Sequence, residues 1–319
     1  MGKYQEFYDV EKVTFVSSDS KSNIVGFIFK PKSGEIRGVF QLCHGMCEYM
    51  RRYDEFAGML CKNGYVFCGH DQLGHGESVA THNDLGYTAD GGGADFWVED
   101  AHKMTSLIRE KYPDKPIILA GHSMGSFIAR AYLSRYPNEK LAAAVIIGTA
   151  GPQSATALGK AIAKFLMKTK GERYRSVFLK NLSFMGYNKK YPKGSTPCAW
   201  ISSDTAIVDK YEHDEYCQFV FTVRAYYDLF SLLEEVSATN WAAKLPANLP
   251  IFLISGGNDP VGQYGRGVCT VYERMRKAGM EKVSVKIYSE ARHEILNEKD
   301  REKIYADIVR WLDKIIVQE

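Results

Sequence analysis

The stretch Pro116-Ile117-Ile118-Leu119-Ala120-Gly121-His122-Ser123-Met124-Gly125-Ser126 decides the fold of this 319-residue chain. The apolar run that begins at Pro116 has the length of a buried strand, and a G-x-S-x-G pattern follows it directly. Apolar residues then recur at helical spacing until Tyr136-Pro137 ends the pattern. The stretch therefore predicts a strand, a sharp turn at Ser123 and a helix.

Gly121 and Gly125 stand two residues before and two residues after Ser123. A turn this tight has no room for side chains there, so the glycines let the serine adopt a strained backbone and point outward. The helix that begins at the serine presents free N–H groups and the positive end of its dipole, which favour a developing oxyanion. The pattern is typical of a nucleophile elbow, and an ordinary strand-to-helix turn is the alternative.

Length and composition indicate one large α/β domain with an inserted subdomain, or two modest domains. The first residues lack the apolar core of a secretion signal, and no apolar run is long enough to span a bilayer. Seven cysteines, an odd number without metal-like grouping, favour reduced thiols. We therefore expect a cytoplasmic protein that needs no metal and no cofactor.

Strand and helix patterns alternate along most of the chain. The predicted strands are 13–15, 24–29, 38–43, 65–69, the run from Pro116, 141–147, 250–255 and 283–288, and the predicted helices include 53–62, 96–112 and 261–278. This alternation predicts a mostly parallel sheet with helices on both faces. Residues 149–248 are helical and aromatic instead, which predicts a helical cap inserted into an α/β core formed by 1–148 and 249–319.

A serine hydroxyl becomes a nucleophile when a base takes its proton and an acid orients that base. The carboxyl ends of parallel strands meet at one edge of a sheet, so the partners of Ser123 should follow other strands. His293 follows the last predicted strand, and Asp259 follows the strand at 250–255. We therefore predict Ser123 as nucleophile, His293 as base and Asp259 as the acid.

Other titratable residues receive lesser roles in this interpretation. The carboxylates that compete with Asp259 are Glu290, which is the alternative acid, and Asp204 and Asp209, which lie in the insert. We expect His44 to order its own loop through hydrogen bonds and His122 to point away from Ser123. His70 and His75 are expected to brace the loop in which they lie.

With these residues assembled, the chain resembles the α/β-hydrolase family that contains monoacylglycerol lipases, lysophospholipases and related serine hydrolases. The motifs that carry the resemblance are H-G-x-x-E at 44–48 with Arg52-Tyr53 after it, D-x-x-G-H-G-x-S at 71–78, G-H-S-M-G at 121–125, and the late Asp259 and His293 loops. The resemblance implies an α/β-hydrolase fold, the triad Ser123, Asp259 and His293, and an oxyanion hole built from the backbone N–H groups of Met46 and Met124. Relatives commonly have a small residue near position 46, so we expect Met46 to narrow the acyl entrance.

Basic and acidic residues of the insert are concentrated in different halves. Residues 160–193 contain ten basic residues and one acidic residue, whereas 204–235 contain eight acidic residues and two basic ones. Leu158, Ile162, Phe165 and Leu166 share a helical face opposite Lys160, Lys164 and Lys168. Such a helix fits a lipid surface, a phosphate-bearing substrate, or pairing of its lysines with the acidic half. We favour the pairing, because amphipathic surface helices are common and the opposite charges of the two halves fit mutual pairing.

These features predict a serine carboxylester hydrolase that forms an acyl-enzyme on Ser123 and acts on monoacylglycerols, lysophospholipids or similar acyl esters. One alternative is an aminopeptidase or amidase with the same triad, in which Glu212, Asp214 or Glu215 would hold a substrate ammonium. Another is a non-catalytic protein of the same fold that binds small molecules. The formal net charge of +3 gives no reason to expect a nucleic-acid partner, and the oligomeric state is not indicated.

Overall fold

An eight-stranded sheet forms the centre of the computed structural model, which describes residues 3–316. The strands are β1 Tyr8–Val16, β2 Asn23–Pro31, β3 Gly38–Cys43, β4 Tyr65–His70, β5 Ile117–His122, β6 Ala143–Ile147, β7 Ile251–Gly256 and β8 Val283–Tyr288. Their order across the sheet is β1-β2-β4-β3-β5-β6-β7-β8. Strands β3 to β8 are parallel, and β2 is antiparallel to both of its neighbours. The prediction of a mostly parallel sheet is confirmed.

Helices cover both faces of this sheet, as the alternating pattern predicted. The helices are α1 Asp54–Lys62, α2 Gly93–Lys111, α3 Met124–Arg135, α4 Thr156–Lys170, α5 Val177–Ser183, α6 Thr205–His213, α7 Val223–Ser237, α8 Arg266–Lys277 and α9 Arg301–Ile316. Consecutive residues of β5 point to opposite faces. Leu119 packs in one apolar cluster with Trp97 of α2, and Ile118 packs in another with Phe56 of α1.

Helix α8 begins later than the sequence pattern predicted. We expected a helix over 261–278, whereas α8 starts at Arg266. Gln263, Tyr264 and Gly265 have φ values of 52°, 59° and 87°. Residues in the left-handed region cannot belong to a right-handed helix, so the chain turns here before the helix begins.

The insert lies between β6 and β7 and consists mainly of helices α4 to α7. Helix α4 packs on α7, where a Cβ atom at Gly159 would lie 2.8 Å from the Phe230 ring. In the described residues the insert adds no strand to the sheet, and it contributes only an isolated bridge between Arg175 and Thr222. The boundaries of the cap at 149 and 248 stay a prediction.

Arg130 connects helix α3, which begins directly after Ser123, to both ends of this insert. Its fully buried guanidinium donates to Ala150 O at 2.9 Å and to Thr149 Oγ1 at 3.2 Å, just after β6. It also donates to Val236 O near the end of α7 and lies 4.3 Å from the centroid of the Trp241 ring. The residues where the chain enters and leaves the insert are therefore held at one point on α3.

Candidate active site

Ser123 occupies the predicted sharp turn between β5 and α3, with a φ of 53° and a ψ of −121°. A Cβ atom at Gly121 would lie 2.1 Å from Gly125 O, and one at Gly125 would lie 2.0 Å from Cys43 O. Backbone atoms this close exclude any side chain at the two glycines. The Ser123 N–H donates to Ile147 O at 3.0 Å, which ties the turn to the end of β6.

Asp259 and His293 meet at the same edge of the sheet, after β7 and β8. Asp259 is fully buried, and its Oδ1 lies 3.0 Å from His293 Nδ1. The ring N–H is not aligned with this oxygen, so the contact has the distance of a hydrogen bond without its angle. Such loose geometry is common in enzymes before substrate binds. Asp259 is itself fixed, because Oδ1 accepts the Val261 N–H at 2.8 Å and Oδ2 accepts the Ser255 hydroxyl at 3.1 Å.

A mostly apolar cavity of about 880 Å³, including its open mouth, brings the predicted site residues together. Ser123, His293, Met46 and Met124 line it, and Asp259 stands next to His293. The largest apolar lining residues are Phe127, Phe184, Tyr187, Trp200, Leu229, Phe230 and Leu233. In residues 3–316 the Ser123 hydroxyl makes no hydrogen bond to another protein group, so it is free to meet a ligand.

The two predicted oxyanion donors are backbone N–H groups near Ser123, since Met124 follows it directly and a Cβ atom at Gly45, next to Met46, would lie 3.0 Å from Ser123 Cβ. Met46 lies in the loop after β3, and Met124 is the first residue of α3. The first N–H groups of a helix have no partner within the helix. Within the described part of the chain, neither the Met46 nor the Met124 N–H donates to a protein acceptor. Both are therefore available to a charged oxygen.

A buried ionic network supports the loop that carries Met46. Glu48 Oε1 accepts the Gly45 N–H and the Tyr53 hydroxyl, the latter at 2.9 Å. Arg52 Nη1 donates to Glu48 Oε2 at 3.0 Å and to Glu294 Oε1 at 2.7 Å. The sequence indicated Glu48 and Arg52 only as motif residues and missed Glu294, for which the one signal was its place beside His293.

His122 is part of this network and is not bonded to the Ser123 hydroxyl. Its Nδ1 lies 3.0 Å from Glu48 Oε1 and 2.9 Å from the Tyr53 hydroxyl, and its Nε2 lies 3.4 Å from His293 O. Burial opposes the ionised form of Glu48, but the hydrogen bond and charge of His122 and the charge of Arg52 hold the Glu48 pKa well below its usual range. Burial also opposes the charged form of His122, yet Glu48 raises the His122 pKa. The contact between Glu48 and His122 therefore favours the charged form of each side chain.

Three further histidines are buried and neutral near the Met46 loop. His44 Nε2 accepts the Gln72 N–H at 2.8 Å, so its Nδ1 carries the proton and donates to Gly45 O at 2.8 Å. Burial lowers the pKa of His44 to about 4 and those of His70 and His75 to about 3. The hydrogen bonds of His44 order its loop as predicted.

The competing carboxylates lie elsewhere. Glu290 is exposed although it is close to His293 in sequence. Asp204 accepts the Ala206 N–H at 3.1 Å and caps α6, and Asp209 is exposed on that helix. Within residues 3–316, the ion-pair contact of His293 is with Asp259 and with none of these three. The structure therefore favours Asp259 as the carboxylate that faces the histidine.

Comparison with known proteins gives consistent matches. The sequence model of the serine aminopeptidase S33 family matches residues 34–300. Mouse monoglyceride lipase is 33% identical over 142 residues, which are 43% of this chain and 44% of that protein. Monoacylglycerol lipase of Mycolicibacterium smegmatis is 27% identical over 285 residues, which are 86% of this chain and 88% of that protein. The crystal structure of a thermostable carboxyl esterase from Bacillus coagulans has a TM-score of 0.89 at 32% identity and covers 96% of this chain and 99% of its own.

The family match extends over most of the chain and includes all four sequence motifs. The lipase relatives and the esterase structure support ester hydrolase activity of the EC 3.1.1 type for this chain. The sheet order and the helices on both faces agree with the α/β-hydrolase fold. The chain therefore belongs to the serine aminopeptidase S33 family of α/β hydrolases.

Proposed function

We propose that this chain hydrolyses monoacylglycerols and similar acyl esters, with Ser123 as nucleophile, His293 as general base and then acid, and Asp259 as the residue that orients His293. The observation that carries the proposal is the 3.0 Å contact between Asp259 and His293, with His293 and Ser123 on the wall of one apolar cavity. The lipase names of the relatives agree with this substrate class.

The proposed reaction has two halves. His293 Nε2 takes the proton of Ser123 as Oγ attacks the ester carbonyl, and the Met46 and Met124 N–H groups donate to the resulting oxyanion. The C–O bond to the alcohol then breaks, and the alcohol leaves with the proton from His293. Water attacks the acyl-enzyme with His293 again as base, and Ser123 recovers its proton as the fatty acid leaves.

A neutral headgroup fits the cavity better than a phosphate. None of the described residues that line the cavity is a lysine or an arginine, so a lysophospholipid phosphate would meet no ammonium or guanidinium group there. Arg52 is close, but its guanidinium is already shared between Glu48 and Glu294. We therefore place monoacylglycerols and short acyl esters before lysophospholipids.

An amidase function has less support from the site. In that alternative, a carboxylate of the insert would hold the substrate ammonium. The candidates Glu212, Asp214 and Glu215 do not line the cavity. Glu48 and Glu294 do line it, but both are already paired with Arg52. An aminopeptidase needs an unpaired acid near the scissile bond, and the described lining residues offer none.

The test is release of fatty acid from a monoacylglycerol by the purified protein, followed by titration. We expect activity in the full chain, none in Ser123→Ala, and near-normal activity in Ser183→Ala, which removes another serine of the same cavity. Equal rates in the full chain and Ser123→Ala would refute the proposal.

Faster turnover of aminoacyl-naphthylamides than of esters would favour the amidase, and failure of a fluorophosphonate to label Ser123 would favour a non-catalytic binding protein.

We also propose that the insert contacts a lipid surface. Six of the exposed large hydrophobic side chains in the described residues lie between 158 and 185, namely Leu158 at 60%, Phe165 at 65%, Tyr174 at 42%, Val177 at 62%, Phe178 at 64% and Met185 at 71% exposed. We predicted that the basic half of the insert pairs with its acidic half, and this prediction is wrong for most of α4. Lys160 does pair with Glu234, but Lys164 and Lys168 make no ion pair in residues 3–316. Exposed apolar groups flanked by free lysines suit an anionic lipid surface.

Vesicle flotation tests this surface. We expect the full chain to float with vesicles that contain phosphatidylglycerol and to float less with phosphatidylcholine alone. The double variant Phe165→Asp and Phe178→Asp should lose flotation and keep hydrolysis of a water-soluble ester, since neither residue lines the active-site cavity. Unchanged flotation of the double variant would contradict the proposal.

A cytoplasmic location stays part of the proposal. All seven cysteines are free, which agrees with a reducing compartment. No helix within residues 3–316 has both the length and the hydropathy to cross a bilayer. Cell fractionation with an antibody to the chain tests the location, and recovery outside the cytoplasmic and membrane-surface fractions would contradict it.

A further inference from the structure

Trp200 of the insert lies against the ring of His293. The centroids of the two rings are 5.1 Å apart and their planes are inclined by 41°. Trp200 also lines the cavity that contains Ser123. The roles proposed above leave this contact unused, although it involves the general base.

The residues around Trp200, 199–203, which we call the linking segment, are hydrogen-bonded to the loop of His293. The His293 N–H donates to Trp200 O at 3.3 Å, and the Glu294 N–H donates to Ile201 O at 2.7 Å. Further bonds between the two segments join Arg292 to Ala199 O and Ser202 O, Ser202 to Asn297 O, and Ser203 to the Glu298 carboxylate. The linking segment therefore moves with the His293 loop.

The indole of Trp200 also packs against two further aromatic rings of the insert. Its ring centroid lies 5.0 Å from that of Tyr187, at an angle of 75°, and 5.8 Å from that of Phe184. Aromatic rings at these distances and angles attract each other in defined orientations. The indole thus has a fixed place, whereas the ring N–H of His293 is not aligned with Asp259.

We propose that Trp200 is a positioning residue for His293. The indole limits rotation of the imidazole, so that Nδ1 stays beside Asp259 while Nε2 stays available to Ser123. This inference rests on the proposed function, because it assigns Trp200 a task in proton transfer between His293 and Ser123. It also makes the insert part of the catalytic arrangement as well as a wall of the substrate cavity.

Kinetics of a small soluble ester, p-nitrophenyl acetate, test the proposal in three variants. Trp200→Leu should lower kcat about 10- to 100-fold with little change in KM, because a base displaced by about 1 Å loses that much rate. Trp200→Phe keeps a flat ring and should stay within about 3-fold of the full chain. Phe230→Leu, a matched control that lines the same cavity and has no ring contact with His293 or Trp200, should alter KM and leave kcat nearly unchanged.

A second measurement does not depend on turnover. In the fluorophosphonate adduct of Ser123, where the loose contact between His293 and Asp259 should tighten into a hydrogen bond, the Nδ1 proton of His293 gives a far-downfield NMR signal. We expect this signal in the adducts of the full chain, Trp200→Phe and Phe230→Leu but not in that of Trp200→Leu. Circular dichroism shows whether each variant is folded. Persistence of both kcat and the signal in Trp200→Leu would overturn the inference, as would equal losses of kcat in all three variants. If the full chain shows no Ser123-dependent hydrolysis, the proposed function fails. If the full chain is active and Trp200→Leu keeps both its kcat and the signal, only the role of Trp200 fails.

Discussion

Arg52 and Glu294 form a two-bond ion pair, with Nη1 at 2.7 Å from Oε1 and Nη2 at 2.8 Å from Oε2. Both side chains are almost fully buried, at 8% and 6% exposed. Arg52 follows the loop of the proposed oxyanion donor Met46, and Glu294 follows the proposed base His293. The pair therefore joins the two loops that must act on the same carbonyl group.

Replacement of Arg52 should destabilise the fold strongly. Arg52→Met leaves the carboxylates of Glu48 and Glu294 buried without their cation, which costs about 3 to 5 kcal/mol of unfolding free energy. Urea denaturation measures this loss. The control is Arg51→Met, which breaks an exposed pair with Asp54 and should cost less than about 1 kcal/mol. Similar losses in the two variants would show that the buried network contributes little.

Asp259→Asn should abolish most activity without unfolding the protein. An amide in place of the carboxylate leaves the shape of the site intact but favours the wrong tautomer of His293, and we expect kcat to fall about 10³- to 10⁴-fold. Steady-state ester hydrolysis measures the change. Glu290→Gln alters the exposed alternative acid and should leave kcat unchanged. A larger loss in Glu290→Gln than in Asp259→Asn would reverse the assignment of the acid.

The protein should lose stability as the pH falls from about 6.5 towards 4. His44, His70 and His75 stay neutral in the folded state, because burial lowers their pKa values to about 4, 3 and 3, whereas an unfolded histidine titrates near 6.5. In this window the unfolded chain binds more protons at these three residues, so protonation favours unfolding. Each one contributes a slope of about 1.4 kcal/mol per pH unit.

Denaturation at several pH values checks this slope. His70→Phe removes one buried imidazole, which packs edge-on against Phe15, and should reduce the slope by about 1.4 kcal/mol per pH unit. His213→Gln changes an exposed histidine on α6 and should leave the slope as it is. An unchanged slope in His70→Phe would mean that His70 is protonated in the folded protein.

Met46→Ala should widen the acyl end of the cavity. Met46 lines this cavity beside Ser123, and truncation of its side chain leaves room for a bulkier acyl group. We expect kcat/KM for a long or branched acyl ester to rise relative to the acetyl ester by about 10-fold, the effect of roughly one methylene group in a fitted pocket. A panel of p-nitrophenyl esters measures the ratio. An unchanged ratio would show that Met46 does not limit acyl size.

Local sequence pattern predicted the sheet and its loops well. The strand predicted at 38–43 is β3, Gly38–Cys43, because a continuous apolar run bounded by turn residues describes a strand buried on both faces. Asp259 and His293 were predicted from topology, since loops after parallel strands share one edge of the sheet, and from the resemblance to the α/β-hydrolase family. The predicted catalytic roles of these residues still await experiment.

The remaining features depend on distant parts of the chain. Glu294 and Arg52 are separated by 242 residues, and no local pattern indicates that they form an ion pair. The face of α4 that packs against α7 could not be predicted either. Hydrophobicity alone favours the face with Leu158 and Phe165 as the buried one. Small residues instead allow the close approach to α7, with Gly159 and Ala163 buried while Phe165 is exposed.

Arg130 has a consequence for how this protein can change over evolution. Because one guanidinium holds Thr149, Ala150 and Val236, the two ends of the insert lie side by side on the helix that begins after Ser123. A different set of helices could be exchanged between these ends without a shift of Ser123, the proposed nucleophile, provided that it supplies a ring for the role proposed for Trp200. New substrate preferences can thus arise by replacement of one contiguous module, while the chemistry is inherited unchanged.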